Sequence, residues 1–132
     1  MFAVAADPVS AVVHIHLSGF FDHAEVACFW REEQEVARAA QARHGTYDLL
    51  IETAGGMAQG QDVLAAFHRV IVESPVKARR IVIVSESALL RLQIRRVLAS
   101  DTLQVVETLA EAEAWLASPE RNACQDKVSL PS

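Results

Sequence analysis

Cysteine is almost missing from this chain. The two that occur, Cys28 and Cys124, lie far apart, and neither belongs to a CxxC pair. A disulfide scaffold is therefore excluded, and two free thiols in a reducing cytoplasm are expected. Glycine and proline are also scarce, at five and four of 132 residues, and there is no internal repeat or low-complexity segment. Positive charge is in deficit: 12 Lys and Arg stand against 17 Asp and Glu, for a net charge of −5. That balance argues against a general nucleic-acid binder, which needs basic side chains to neutralise phosphates. No apolar run approaches the roughly 20 residues that span a bilayer. The start of the chain, Met1 to Pro8, lacks the basic region and long apolar stretch of a signal peptide. A soluble, cytoplasmic protein is expected.

What the chain does have is apolar content, at 52% of residues. That suits a compact globular protein rather than a disordered one. A length of 132 residues fits one domain. A chain of that size buries roughly two-thirds of its unfolded surface, enough to hold a core without staples. The domain is expected over residues 1–117, with 118–132 as a loose polar tail.

The patterning is more informative than the totals. Phe2–Ala5 and Val9–Leu17 are apolar runs separated by Asp7-Pro8, which predicts a β-hairpin. In the second run Val13, Ile15 and Leu17 alternate with Val12, His14 and His16, so one face is apolar and the other wetter. Asp22 and Glu25 form a capping-box-like pair for a helix that runs to about Arg43 and stops at His44-Gly45. Val26, Phe29, Trp30, Val36, Ala37 and Ala40 share its apolar face. Tyr47–Glu52 predicts a buried strand, followed by a flexible loop over Thr53–Gln61. A helix from Gly60 to Glu73 should bury Val63, Leu64, Ala66, Phe67, Val70 and Ile71.

Ile81–Val84 is a β-branched core strand. Ser85 or Ser87 caps the next helix, to about Ala99. Leu103–Val106 is a short strand. Thr108 and Glu111 cap a last helix that buries Leu109, Ala112, Trp115 and Leu116. The order β-β-α-β-α-β-α-β-α predicts an α/β fold: a single mixed, mostly parallel sheet with helices and an N-terminal β-hairpin.

This order resembles the STAS fold of bacterial anti-sigma-factor antagonists, and especially its SpoIIAA-like branch. The matching stretches are Val12–Gly19 entering a long helix, Tyr47–Glu52 entering a glycine-containing loop, Ala78–Val84, and Val105–Leu116 with its Glu-Ala-Trp-Leu end. The resemblance implies a non-enzymatic module acting by protein–protein contact in bacterial regulation. In such antagonists the loop after the central strand carries a phosphorylatable serine. Here that loop, Ala54–Gln61, contains no serine and Thr53 sits at the strand end, so no switch residue carries over. The SpoIIAA-like branch is also similar in fold to CRAL-TRIO lipid-transfer domains. That likeness implies an alternative role as a carrier or sensor of a small apolar or anionic ligand.

Candidate site residues follow from the loops. Gly55, Gly56, Gly60 and Gln61 precede a helix whose N-terminus could hold an anion, although the spacing is neither a P-loop nor a dinucleotide fingerprint. Ser85 and Ser87 offer a second helix start, or serve only as caps. Both loops fall at the carboxyl ends of parallel strands, where open α/β sheets bind ligands. Glu33 lies on the apolar arc of its helix. It is either a desolvated carboxylate with a raised pKa or a residue left at an edge where the helix extends past the sheet; the edge is the expectation.

His14 and His16 share a strand face, but no third ligand is evident and they read as solvent-facing. His23, His44 and His68 form no triad. Leu89, Leu92 and Ala99 form a second apolar arc beside Arg96, which is either a partner or self-association surface or is covered by the hairpin or tail. Lys77, Arg79, Arg80, Arg91, Arg95 and Arg96 make this region locally basic, as a phosphate- or acid-binding patch or as a solvated face. No motif asks for a cofactor, a metal or an enzymatic reaction.

Overall fold

Asp7 turns the chain back on itself. Its Oδ1 accepts hydrogen bonds from the N–H groups of Val9 (2.8 Å) and Ser10 (3.3 Å), the side-chain-to-backbone bonding that favours Asp in turns. The strands on either side, β1 (Phe2–Ala6) and β2 (Val12–Ser18), pair antiparallel with Val4 opposite Ile15. The computed structural model describes residues 1–7, 9–19, 21–54, 60–98 and 100–118. Within them follow α1 (His23–His44), β3 (Asp48–Ala54), α2 (Gln61–Glu73), β4 (Ile81–Val84), α3 (Ala88–Leu98), β5 (Leu103–Val106) and α4 (Leu109–Ala117). The five strands form one sheet in the order β1-β2-β3-β4-β5, with every pair after the hairpin parallel. This is the expected mixed α/β sheet.

The caps explain where the helices begin and end. Asp22 accepts from the Glu25 N–H at 2.8 Å, and α1 stops where Gly45 turns to φ 85° and donates its N–H to Gln41. Thr108 accepts from the Glu111 N–H at 3.2 Å to start α4. Ser87 Oγ accepts from the Leu90 N–H at 3.1 Å at the start of α3.

The helices divide unequally over the two faces. Helices α1 and α3 lie on the face carrying Val13, Ile15, Leu49, Ile51, Ile81 and Ile83. Helix α4 lies alone on the other face, over Leu50, Val82 and Val84 of β3 and β4. Strand β4 is therefore buried on both sides, while on β2 only the alternate residues Val13 and Ile15 are fully buried. Edge and tilted contacts among Phe2, Phe21, Phe29 and Phe67, with ring centroids 5.6–5.9 Å apart, knit the hairpin, α1 and α2 together.

Several expectations are corrected. Helix α2 buries only Val63 and Leu64; Ala66, Phe67, Val70 and Ile71 are half-exposed. The cause is its position: α2 packs against α1 and α3, and among the described residues none of its Cα atoms lies within 8 Å of a strand Cα. Glu33 is not at an edge. It is fully buried between α1 and the segment after α2. Leu109 is exposed, because Ala112 takes the central place under α4. Ser118 is not part of a loose tail: it caps α4, and its carbonyl and hydroxyl oxygens accept from Arg80. Residues 119–132, with Cys124, lie outside the described residues; Cys28 is exposed and unpaired.

The basic residues of the third quarter do not form one free patch. Arg79 makes a paired contact with Asp48, at 3.0 and 2.7 Å. Arg80 is buried, stacks over Trp115 and donates to the Trp115 carbonyl at 2.6 Å. Arg91 donates to the Ser85 carbonyl and Lys77 to the Val72 carbonyl, both at 2.8 Å. Guanidinium groups with several donors and no acceptor are suited to such tying of carbonyls.

Candidate functional site

A small apolar cavity lies under α2. It measures about 60 Å³ and opens at the carboxyl ends of β2, β3 and β4. Leu17, Ile51 and Ile83 form its floor, Phe67 and Ile71 hang from α2, and Leu90 and Ile94 wall it from α3. Ser18, Gly19 and Thr53 stand at its mouth. Among the described residues no acid, base or thiol lines it. Thr53 Oγ1 is already engaged, donating to the Val84 carbonyl at 2.7 Å. A second, wider hollow of about 220 Å³ lies at the opposite ends of the strands, beside Tyr47, Ile81 and Thr102. Trp30 and Ile71 line both. Those two side chains therefore stand between the two spaces.

The two ends of α2 are held differently. At its carboxyl end Trp30 Nε1 donates to Ser74 Oγ, which in turn donates to the Val70 carbonyl. Gln34 then grips the next residues: its amide nitrogen donates to the Val76 carbonyl at 3.0 Å and its oxygen accepts from the Val76 N–H at 3.2 Å. Glu33 completes this anchor. It accepts from Gln34 Nε2 at 2.7 Å and from the Tyr47 hydroxyl at 3.2 Å. Burial pushes the Glu33 carboxyl upward, and burial together with the Glu33 charge pushes the Tyr47 phenol upward. At the amino end the side-chain tie is an exposed one, His23 Nε2 to Asp62 at 3.1 Å, which holds the Asp62 carboxyl below the usual range. Exposed pairs of this kind contribute little.

The sequence-derived candidates fall mostly outside the cavity. Gly55 and Gly56 lie outside the described residues. Gly60 is the backbone cap of α2, and it and Gln61 are exposed. Ser85 and Ser87 act as caps: Ser85 Oγ accepts from the Ser87 N–H at 3.2 Å, and Ser85 is fully buried. Glu33 serves the anchor rather than the cavity. Leu89 and Leu92 are 59% and 44% exposed, with Arg96 exposed near them, and Ala99 lies outside the described residues. The cavity residues Trp30, Phe67 and Ile71 read in the sequence as ordinary core. Nothing in a single helix pattern tells how far that helix stands from its sheet.

One constellation the sequence did not disclose is also present. His14 and His16 meet Glu52 of the neighbouring strand, within 4.8 Å of one another. The signal available was a carboxylate, Glu52, closing the apolar run Leu49–Ile51. Its partner could be known only from the β2–β3 register. Comparisons with protein-family models, with curated proteins and with solved structures return no match for this chain. Among the described residues no helix is long and apolar enough to cross a membrane.

Proposed function

We propose that this chain is a non-enzymatic binding module that takes a small apolar molecule, or a short apolar tail, beneath α2. The observation that carries this reading is the apolar gap between Leu17, Ile51 and Ile83 of the sheet and Phe67 and Ile71 of α2, whose backbone stands off the sheet. The position fits the rule that open α/β sheets bind ligands at the carboxyl ends of their strands. It also fits the carrier role implied by the CRAL-TRIO likeness.

Magnitudes limit the ligand. A cavity of about 60 Å³ holds about four water-sized spheres, and a dry apolar cavity that takes benzene measures about 150 Å³. Burying about four methylenes gives about 3 kcal/mol, before the cost of association. Binding to the cavity alone is therefore weak, in the millimolar range or above. A longer chain needs the Trp30–Ile71 divider to part.

Intrinsic fluorescence tests this. The chain has two tryptophans, and Trp115→Phe leaves Trp30, on the cavity wall, as sole reporter. Titration with straight-chain alcohols should shift Trp30 emission saturably, with affinity rising about fourfold per added methylene while the chain fits. No saturable shift at any length would overturn the reading.

A second reading, the STAS-like interaction module in a cytoplasmic regulatory setting, is favoured by exposed Leu89 and Leu92 on α3. Its occupant would be a second copy of the chain. Sedimentation should then find a dimer that Leu92→Asp converts to monomer. A monomeric wild type would remove this second reading.

A further inference from the structure

Among the described residues the second face of the sheet is half covered. Helix α4 lies over β3, β4 and β5, while the half over β1 and β2 carries His14 and His16. Strand alternation sends both histidines to this face, and the parallel register places Glu52 beside His16. The side chains converge. His14 Nε2 stands 2.6 Å from Glu52 Oε2, and His16 Nε2 stands 3.5 Å from the same oxygen. The two imidazoles stack, with centroids 4.7 Å apart and planes at 23°.

We propose that His14, His16 and Glu52 form a binding site for a divalent transition-metal ion, zinc foremost. Two imidazole nitrogens and one carboxylate oxygen are the donor set that suits zinc and its first-row neighbours, and not calcium or magnesium, which take oxygens. Around a tetrahedral zinc, donors about 2.0–2.1 Å from the metal stand about 3.3 Å apart. The two separations to Glu52 bracket that value and all three donors lie within 4.8 Å of one another, so an ion enters with side-chain shifts of about 1–1.5 Å. The backbone beneath is fixed: β2 is hydrogen-bonded to strands on both sides, and β3 likewise.

Exposure is graded across the site, with side-chain values of 26% for Glu52, 36% for His14 and 62% for His16. Among the described residues nothing closes the outer side, which can take water or an exogenous ligand. Three protein ligands with one open position is the arrangement in which a zinc ion exchanges ligands, rather than the closed four-ligand arrangement of a purely structural site. The site lies on the face opposite the α2 cavity, so it stands or falls independently of the ligand reading.

Metal titration of the full chain, carrying no affinity tag and stripped by chelator, tests the proposal. Cobalt(II) serves as the optical probe and zinc(II) as its competitor. One equivalent of cobalt should give the visible absorption of low-coordinate cobalt, and zinc should displace it. His16→Gln and Glu52→Gln should each weaken binding by more than the roughly 10–100-fold that loss of an outer-shell partner costs. His68→Gln, a change at an exposed histidine on α2, should bind as the wild type does. His16 is exposed, so its variant keeps the fold, which far-ultraviolet circular dichroism verifies. No saturable one-to-one binding would overturn the proposal. So would less than about tenfold weakening in His16→Gln and Glu52→Gln.

Discussion

Replacing Ile71 with alanine removes one half of the wall between the two spaces beneath α2. Ile71 is half-exposed and lines both the 60 Å³ cavity and the 220 Å³ hollow. Fully buried isoleucine-to-alanine changes cost about 2–5 kcal/mol, so a half-buried one should cost about 1–2 kcal/mol here. The gain is in length. The wild-type cavity accepts about four methylenes, whereas the joined gap is several times larger. Each further buried methylene contributes about 0.8 kcal/mol, so four more should tighten binding about 200-fold. The assay is Trp30 emission in Trp115→Phe protein, titrated with alcohols of increasing length. The wild type should stop gaining affinity at short chains, while Ile71→Ala continues to gain. Identical chain-length profiles would refute the divider, and with it the continuity of the gap.

Glu33→Gln probes the buried anchor. Burial raises the Glu33 pKa above its usual 4.5, so the folded chain keeps that proton to higher pH than the unfolded chain does. Stability from this group is complete below the unfolded pKa and is lost as pH rises through the folded one. Urea midpoints of the wild type should therefore fall with rising pH across that window, and those of Glu33→Gln should stay flat; parallel curves would contradict the assignment. Arg80→Ala removes a buried guanidinium that ties the carbonyls of Trp115 and Ser118, for a loss of about 2–4 kcal/mol and a red shift of Trp115 emission. Unchanged Trp115 emission would show that α4 docks without it. Gly45→Ala places a Cβ where nothing stands within 4 Å, but at φ +85°, so thermal unfolding should register only the backbone cost of about 1–2 kcal/mol.

Local signals made most of the fold legible. Asp22 and Gly45 bracket α1, Thr108 and Glu111 start α4, and the all-apolar Ile81–Val84 announces a strand buried on both faces. What escaped depends on distance in the chain. The apolar arc of α2 reads as a core face whether the helix rests on a sheet or bridges two other helices. Glu33 reads as out of place because its distant partner, Tyr47, is brought to it only by the packed fold. His16 and Glu52 are neighbours through the parallel register alone, which no spacing within either strand records.

The sheet is laid down in the same order as the chain, β1 to β5. Each strand after the first therefore finds its partner already made as the polypeptide emerges from the ribosome. No strand has to be threaded between two that have paired, as doubly wound sheets require. The growing edge is always the newest strand. Assembly can thus keep pace with synthesis, adding one strand–helix unit at a time. The docking of α4 on the far face comes after β5, and it is held by Arg80, a residue translated well before it.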